Sequence, residues 1–332
     1  MSTPADSTGN RAAPPTDHAM VVQSAWLDQA LWSATANQLK AGLDRWRRIA
    51  AVGGVLGAAT SVAAGTLADG PVRQGTAIAA ALLLAVVPYV QKTRVSPAQV
   101  KAWTRARSAS EALKEAIYRF LMGVPPADPP GATEGNGTPA PDPTSAAALV
   151  RRCQAIKQRV ADLQGQAAQA APGGSSARPS SLDTEGYLAD RVNDQIGWYG
   201  RRANQLAGQA RRLRQAEFAL GLLAVVMGVL SGQSGGAGAE LAQQWPLLGT
   251  LSPWVGVVTT AGGAVTAHLA ATRVEEISAV YFATGQRVQG LRDEWLTDAA
   301  RDTPERVAAF VDAVERAFAA ENQSWLADWT KE

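Results

Sequence analysis

IAAVGGVLGAATSVAAGTLA (Ile49–Ala68) and QGTAIAAALLLAVVPYVQ (Gln74–Gln91) contain no Asp, Glu, Lys or Arg, and basic residues flank the pair on both sides. A second such pair lies at Phe218–Ala239 and Leu241–Thr272, with His268 as its one titratable side chain. At 1.5 Å rise per residue, about 20 uncharged residues cross a hydrocarbon core of about 30 Å. Each of the four stretches is therefore read as one membrane crossing, at about 49–68, 74–91, 217–233 and 252–272. The competing reading, Ala-rich helices buried in a soluble bundle, has to explain four uncharged runs of spanning length with one charge asymmetry.

That asymmetry sets the orientation. Lys40, Arg45, Arg47 and Arg48 precede the first crossing, and Lys92, Arg94, Lys101, Arg105 and Arg107 follow the second. Arg201, Arg202, Arg211, Arg212 and Arg214 precede the third and Arg273 follows the fourth, whereas the two short connections hold only Arg73. By the positive-inside rule both termini and the middle of the chain are expected on the cytoplasmic side of a membrane. The expected fold is all-α: two tandem transmembrane hairpins carrying long amphipathic cytoplasmic arms.

The words before the hairpins repeat. Asp28-Gln29-x-x-Trp32 followed by Ala36-Asn37-Gln38-Leu39 is answered by Asp194-Gln195-x-x-Trp198 followed by Ala203-Asn204-Gln205-Leu206, at offsets of 166 and 167 residues. This is an internal duplication of the order arm, hairpin, arm. The expected organisation is a disordered tail (1–19), a first unit (20–124), a Pro/Gly-rich linker (125–144), a central helix (145–171), a second linker (172–182) and a second unit (183–332).

Three- and four-residue spacings mark the helical arms. After Ser96-Pro97-Ala98-Gln99, an N-cap, first-turn proline and capping-box glutamine, the seam is Trp103, Ala106, Ser110, Leu113, Ile117, Phe120 and Val124. Val274, Ile277, Tyr281, Thr284, Val288, Leu291 and Trp295 repeat the pattern with no proline before them, which predicts one long helix through the fourth crossing. Leu149, Cys153, Ile156, Val160 and Leu163 give a central helix too short to stand alone. Thr303-Pro304-Glu305 opens a C-terminal helix carrying Val307, Phe310, Val311, Val314 and Phe318.

Composition excludes several functions. A net charge of +2 is too weak to argue for nucleic acid, and one cysteine allows neither an intrachain disulfide nor a thiolate metal cluster. With only His18 and His268 there is no H-E-x-x-H pair and no nucleophile, base and acid set, so no catalytic, cofactor-binding or metal site is expected. The glycine-rich run SGQSGGAGAE lacks the Lys-Ser/Thr of a phosphate loop and reads as an exit turn.

The remaining candidates are membrane features. Gly53, Gly57, Ser61 and Gly65, then Ala77, Ala81 and Ala85, then Ala224, Gly228 and Gly232, are small stripes that let helices approach within a hairpin or between copies. Thr259, Thr260, Thr266 and His268 are candidates to line a polar path, with a neutral, interfacial His268 as the plainer reading. Pro88 is expected to kink the second crossing and Trp254 to anchor the outer boundary. Asp28 and Asp194 are expected to pair with arm arginines such as Arg191 or Arg202, with the tryptophans packed between arms.

Tyr187, Arg191, Asp194, Gln195, Trp198 and Tyr199, within the stretch Tyr187–Gly232, and Trp325 in the closing ENQSWL, resemble the SLATT family. Its members are two-transmembrane effector domains associated with bacterial nucleotide-synthesising and nucleotide-sensing modules. The first unit looks like a more divergent copy. The resemblance implies a non-enzymatic, pore-forming or membrane-perturbing effector of a bacterial conflict system, a lipid-embedded homo-oligomer released by a nucleotide-signalling partner. No nucleotidyltransferase pattern is present, so that sensor would be a separate protein. The alternative is a membrane-anchored scaffold whose arms recruit cytosolic partners.

Overall fold

The computed structural model describes residues 17–125, 142–170, 178–231 and 251–329, the last six by backbone alone. Among these residues all regular structure is helical: α1 (Asp17–Thr66), α2 (Pro71–Thr93), α3 (Pro97–Leu121), α4 (Ala146–Gln158), α5 (Gln164–Ala167), α6 (Thr184–Tyr187), α7 (Asp194–Leu230), α8 (Ser252–Thr272), α9 (Val274–Thr297) and α10 (Pro304–Trp329). Residues 1–16 of the expected tail, most of both linkers and Gly232 lie outside the described residues, as does the side chain of Trp325.

At 50 residues α1 is about 75 Å long, so one uninterrupted helix supplies both the first arm and the first apolar stretch. It begins at Asp17 rather than after residue 19, because His18 stacks on Phe120 of α3 with ring centroids 4.7 Å apart. α2 returns antiparallel along α1. Gly54 lies opposite Val87 and Gly57 opposite Leu84, and Pro88 is held inside α2 five residues before its end. α7 and α8–α9 form the second antiparallel pair. Gly262 faces Leu220, the Thr266 hydroxyl donates to Glu217 Oε1 at 2.6 Å, and Gly285 of α9 abuts Tyr199.

Four helical stretches are long and apolar enough to cross a membrane, and at most 17% of any of their apolar windows is buried. Ile78, Leu82, Phe218, Leu222 and Val225 are exposed on them. An apolar surface of this extent calls for lipid or protein around it.

The arms close into a bundle built on the heptad seams. The six seam residues within α3 are buried, as are Val124 just past its end, all five of the central segment, and Phe310, Val311, Val314 and Phe318 of α10. One aromatic ladder joins the units and a second lies within the second unit. Trp26 packs edge-on against Tyr118, Tyr118 against Tyr187 and Tyr187 against Phe310, which stacks on Trp295 at 4.6 Å. Trp198, Tyr199 and Tyr281 meet at 5.1–5.6 Å, and Tyr199 continues to Phe318.

Four local expectations are corrected. The fourth apolar stretch and its arm are not one straight helix: Arg273 adopts the left-handed conformation (φ 47°, ψ 35°) between α8 and α9. Ser96 caps α3 by backbone position alone, since its side chain makes no capping hydrogen bond. The central segment breaks after Gln158 into a 3-10 turn (Ala161–Leu163) and α5, yet Val160 and Leu163 stay buried because that turn keeps them against the bundle. It docks on α1 and α3 through Lys157 to Asp28 and Arg105 to Asp162, each at 2.7 Å. Finally, the end of the second linker is held: Trp26 Nε1 donates to the Pro179 carbonyl, and the Arg178 guanidinium stacks on Trp26 at 4.6 Å.

Candidate functional site between the two units

The second signature begins in a π-helical segment, Leu188–Asn193, that leads into α7. The wider turn places Arg191 in the core. Its Nε and Nη2 donate to Glu315 of α10 at 2.9 and 2.7 Å, Tyr187 donates to the same carboxylate at 3.1 Å, and the guanidinium stacks on Tyr118 and Phe318. Both charged partners are almost completely buried. Burial opposes the charged guanidinium, but the Glu315 carboxylate outweighs it and holds the Arg191 pKa above its ordinary value. A second buried guanidinium, Arg119, reaches Glu115 at 3.0 Å and Asp312 of α10 at 2.8 Å. Thus α10 clamps α3 of the first unit to the start of the second.

These pairs correct the reading of the repeated Asp. Asp28 pairs with Lys157 of α4, Asp194 is exposed, and Arg191 takes its partner from the C-terminal helix. The reason is the π-helical turn leading into α7, which directs Arg191 toward α10 and leaves Asp194 exposed at the first position of α7.

The two copies of the signature have different surroundings. Gln29 is buried, donates to Ser110 Oγ at 3.0 Å and accepts from Arg178 at 2.7 Å, and Trp32 is buried beside it in the core. Asp194, Gln195, Trp198 and Tyr199 instead line a cavity of about 600 Å³ between the units. Across it stand Asn37 and Lys40 of α1 and Arg107, Glu111 and Lys114 of α3. A smaller cavity of about 310 Å³ lies next to it and takes in Asp44, Arg47, Arg48, Leu206, His268 and Ile277. Lys40, Trp103, Arg202 and Tyr281 wall both, so the two are one cleft running from the bundle to the C-terminal end of α8.

The cleft is crowded with positive charge. Burial first, and then the Arg191 guanidinium, push the Lys114 ammonium down to about 8. Burial likewise lowers Lys40, with Arg202, Arg107 and Arg47 adding to it and Asp44 opposing. Burial would raise Glu111, but Lys114, Arg107 and Arg191 hold it below the usual carboxylate range. Lys40 lies over the Trp103 ring at 5.5 Å and Arg107 over Tyr281 at 6.0 Å.

The pore-lining candidates do not share a face. Thr259 and Thr260 are exposed and donate to their own helix at Val255 and Gly256, Thr266 turns to Glu217, and His268 enters the cleft. Of the small residues, Gly57 makes the tight contact: a Cβ there would meet Leu84 side-chain atoms at 2.8 Å and its backbone nitrogen at 3.2 Å. Gly53 has only a backbone oxygen at 3.9 Å, Gly65 and Gly228 face open space, Ser61 is exposed and Ala224 is half-buried. The α3 residues Arg107, Glu111 and Lys114 carry no motif, because their meeting with α7 depends on the tertiary fold.

Among the described residues the regular structure is all helical and four helical stretches have the length and apolar composition to span a membrane, the features of a helical membrane protein. Residues 187–325 match the family model described as SMODS and SLOG-associating 2TM effector domain 1, so this second unit is similar to the SLATT family. Residues 28–129 match a second model, a protein of unknown function, DUF4231. No curated protein and no solved structure matches the chain.

Proposed function

We propose that the chain is a non-enzymatic membrane effector whose two antiparallel helix pairs cross the bacterial inner membrane as hairpins, with termini and arms in the cytoplasm. Rearrangement of the arms opens a conductive path or disrupts the bilayer. The observation carrying this is the pairing of a SLATT effector unit with four exposed apolar helical stretches, all rooted in one bundle. The repeated signature and the common order of arm, two apolar helices and arm support reading both units as copies of one ancestor, with domain limits near residues 20–124 and 183–332. Because Thr259 and Thr260 turn outward from a single protomer, a polar path through these helices requires several copies. The trigger is assigned to a separate nucleotide-signalling protein, in keeping with the associations in the family description.

Dye and ion leakage from liposomes holding the purified protein, before and after cleavage of the chain between residues 126 and 141, tests this reading. Leakage in either state supports the effector. Tight vesicles in both states, with insertion verified, favour the alternative, a membrane-anchored scaffold whose arms recruit cytosolic partners.

A further inference from the structure

Seven cationic side chains line the cleft between the units, against four carboxylates. The acids neutralise only part of it, Glu111 facing Lys114 and Arg107. Asp44 stands 3.8 Å from Arg47, Glu321 is 3.7 Å from Arg107, and Asp194 is exposed at the rim. Among the described residues, Lys40, Arg201 and Arg202 have no carboxylate within 4.0 Å, and Arg47 Nε is a buried donor without a hydrogen-bond partner. Cations held together without counter-charge repel one another and are desolvated at a cost. An anion seated among them removes both penalties.

We propose that this cleft binds a phosphate group, with Lys40, Arg47 and Arg202 as its principal ligands. Phosphate fits better than a single carboxylate for two reasons. The excess of positive charge calls for more than one negative charge, and guanidinium forks match the paired oxygens of a phosphate. The walls bring α1 of the first unit against α7 of the second, so a bound phosphate ties the units together. The source of that phosphate is either an anionic lipid headgroup or a soluble phosphorylated molecule. Leu43, Leu206 and Ile277 give the lower part of the cleft an apolar side suited to the former, and basic pockets among membrane helices are suited to such headgroups. The lipid source rests on the membrane reading above; the soluble one does not.

The test uses the full-length chain with two double variants. Lys40→Gln with Arg202→Gln removes two cleft cations, and Arg211→Gln with Arg214→Gln removes two exposed ones from the same helix region. Pyrophosphate titration by calorimetry in detergent reads the soluble source. Retention of phosphatidic acid after incorporation into neutral or partly anionic nanodiscs, read by native mass spectrometry, reports the lipid source. The site predicts binding in at least one arm, weakened about tenfold or more by the cleft variant and little changed by the control. Melting temperatures show that the cleft variant is folded, and Lys40→Arg alone keeps the binding. Absence of binding in both arms, or equal loss in both double variants, overturns the site. Failure of the chain to enter nanodiscs counts against the membrane reading and leaves the pyrophosphate result standing.

Discussion

Cys153 is buried beneath α1 and α3, and burial first, then the nearby Asp28 carboxylate, pushes its thiol up to about 11. The thiol therefore stays protonated at neutral pH, and thiolate forms only as pH rises toward that value. Maleimide should label it slowly in the native protein and fast after denaturation; equal rates would contradict the burial. At Arg191 and Glu315 the expected effect is on stability. Glu315→Gln leaves a buried guanidinium without its counter-charge and should cost about 3–5 kcal/mol, read as a lower melting temperature in detergent. A change within about 0.5 kcal/mol, typical of surface substitutions, would contradict the clamp. Arg191 stands out in the sequence as part of the signature, but its partner does not. Glu315 lies more than a hundred residues away on a helix whose face is fixed only by packing, and Asp194, three residues from Arg191, was the nearer and wrong choice.

At the scale of the element, periodicity carried most of the information. A helix that packs on one side must place apolar residues three and four apart, so the seams from Trp103 to Val124 and from Leu149 to Leu163 were legible and are buried. Boundaries that depend on backbone strain were not. Arg273 holds φ 47° between two helices with no glycine or proline to announce it. The left-handed conformation costs a non-glycine residue about 1–2 kcal/mol. Arg273→Gly should thus be tolerated or mildly stabilising, whereas Arg273→Val should lower the melting temperature. Equal stability of the two would mean that the bend is not kept in solution. Spacing likewise does not say which member of a small stripe makes the contact. Gly57→Ala drives a Cβ into Leu84 and should destabilise the α1–α2 pair by about 1–3 kcal/mol, while Gly65→Ala, facing open space, should be neutral or stabilising by up to about 1 kcal/mol. Thermal melts of the two variants in one detergent decide between them.

On the scale of the whole molecule, the sequence revealed two similar halves but not what lies between them. The cleft combines α1 and α3 with α7 and α9, so its residues are close only after the arms have folded against each other. The repeated words pointed toward it in part: Asp194, Gln195 and Trp198 reach the cleft, whereas Gln29 and Trp32 are spent on the core. On the proposed reading of both units as copies of one ancestor, one layout has taken on two different tasks. The first unit's signature anchors the bundle, and the second unit's signature opens onto the basic cleft.

The account rests most heavily on both hairpins entering the membrane from the side that holds the bundle. Single cysteines placed at Asp69→Cys, between α1 and α2, and at Asp302→Cys, in the turn before α10, read this directly, with the native Cys153 as a slow internal reference. In intact spheroplasts an impermeant maleimide should label the cysteine at 69 from outside and reach the one at 302 only after permeabilisation. Labelling of both from the same side, or of neither before permeabilisation, would contradict it.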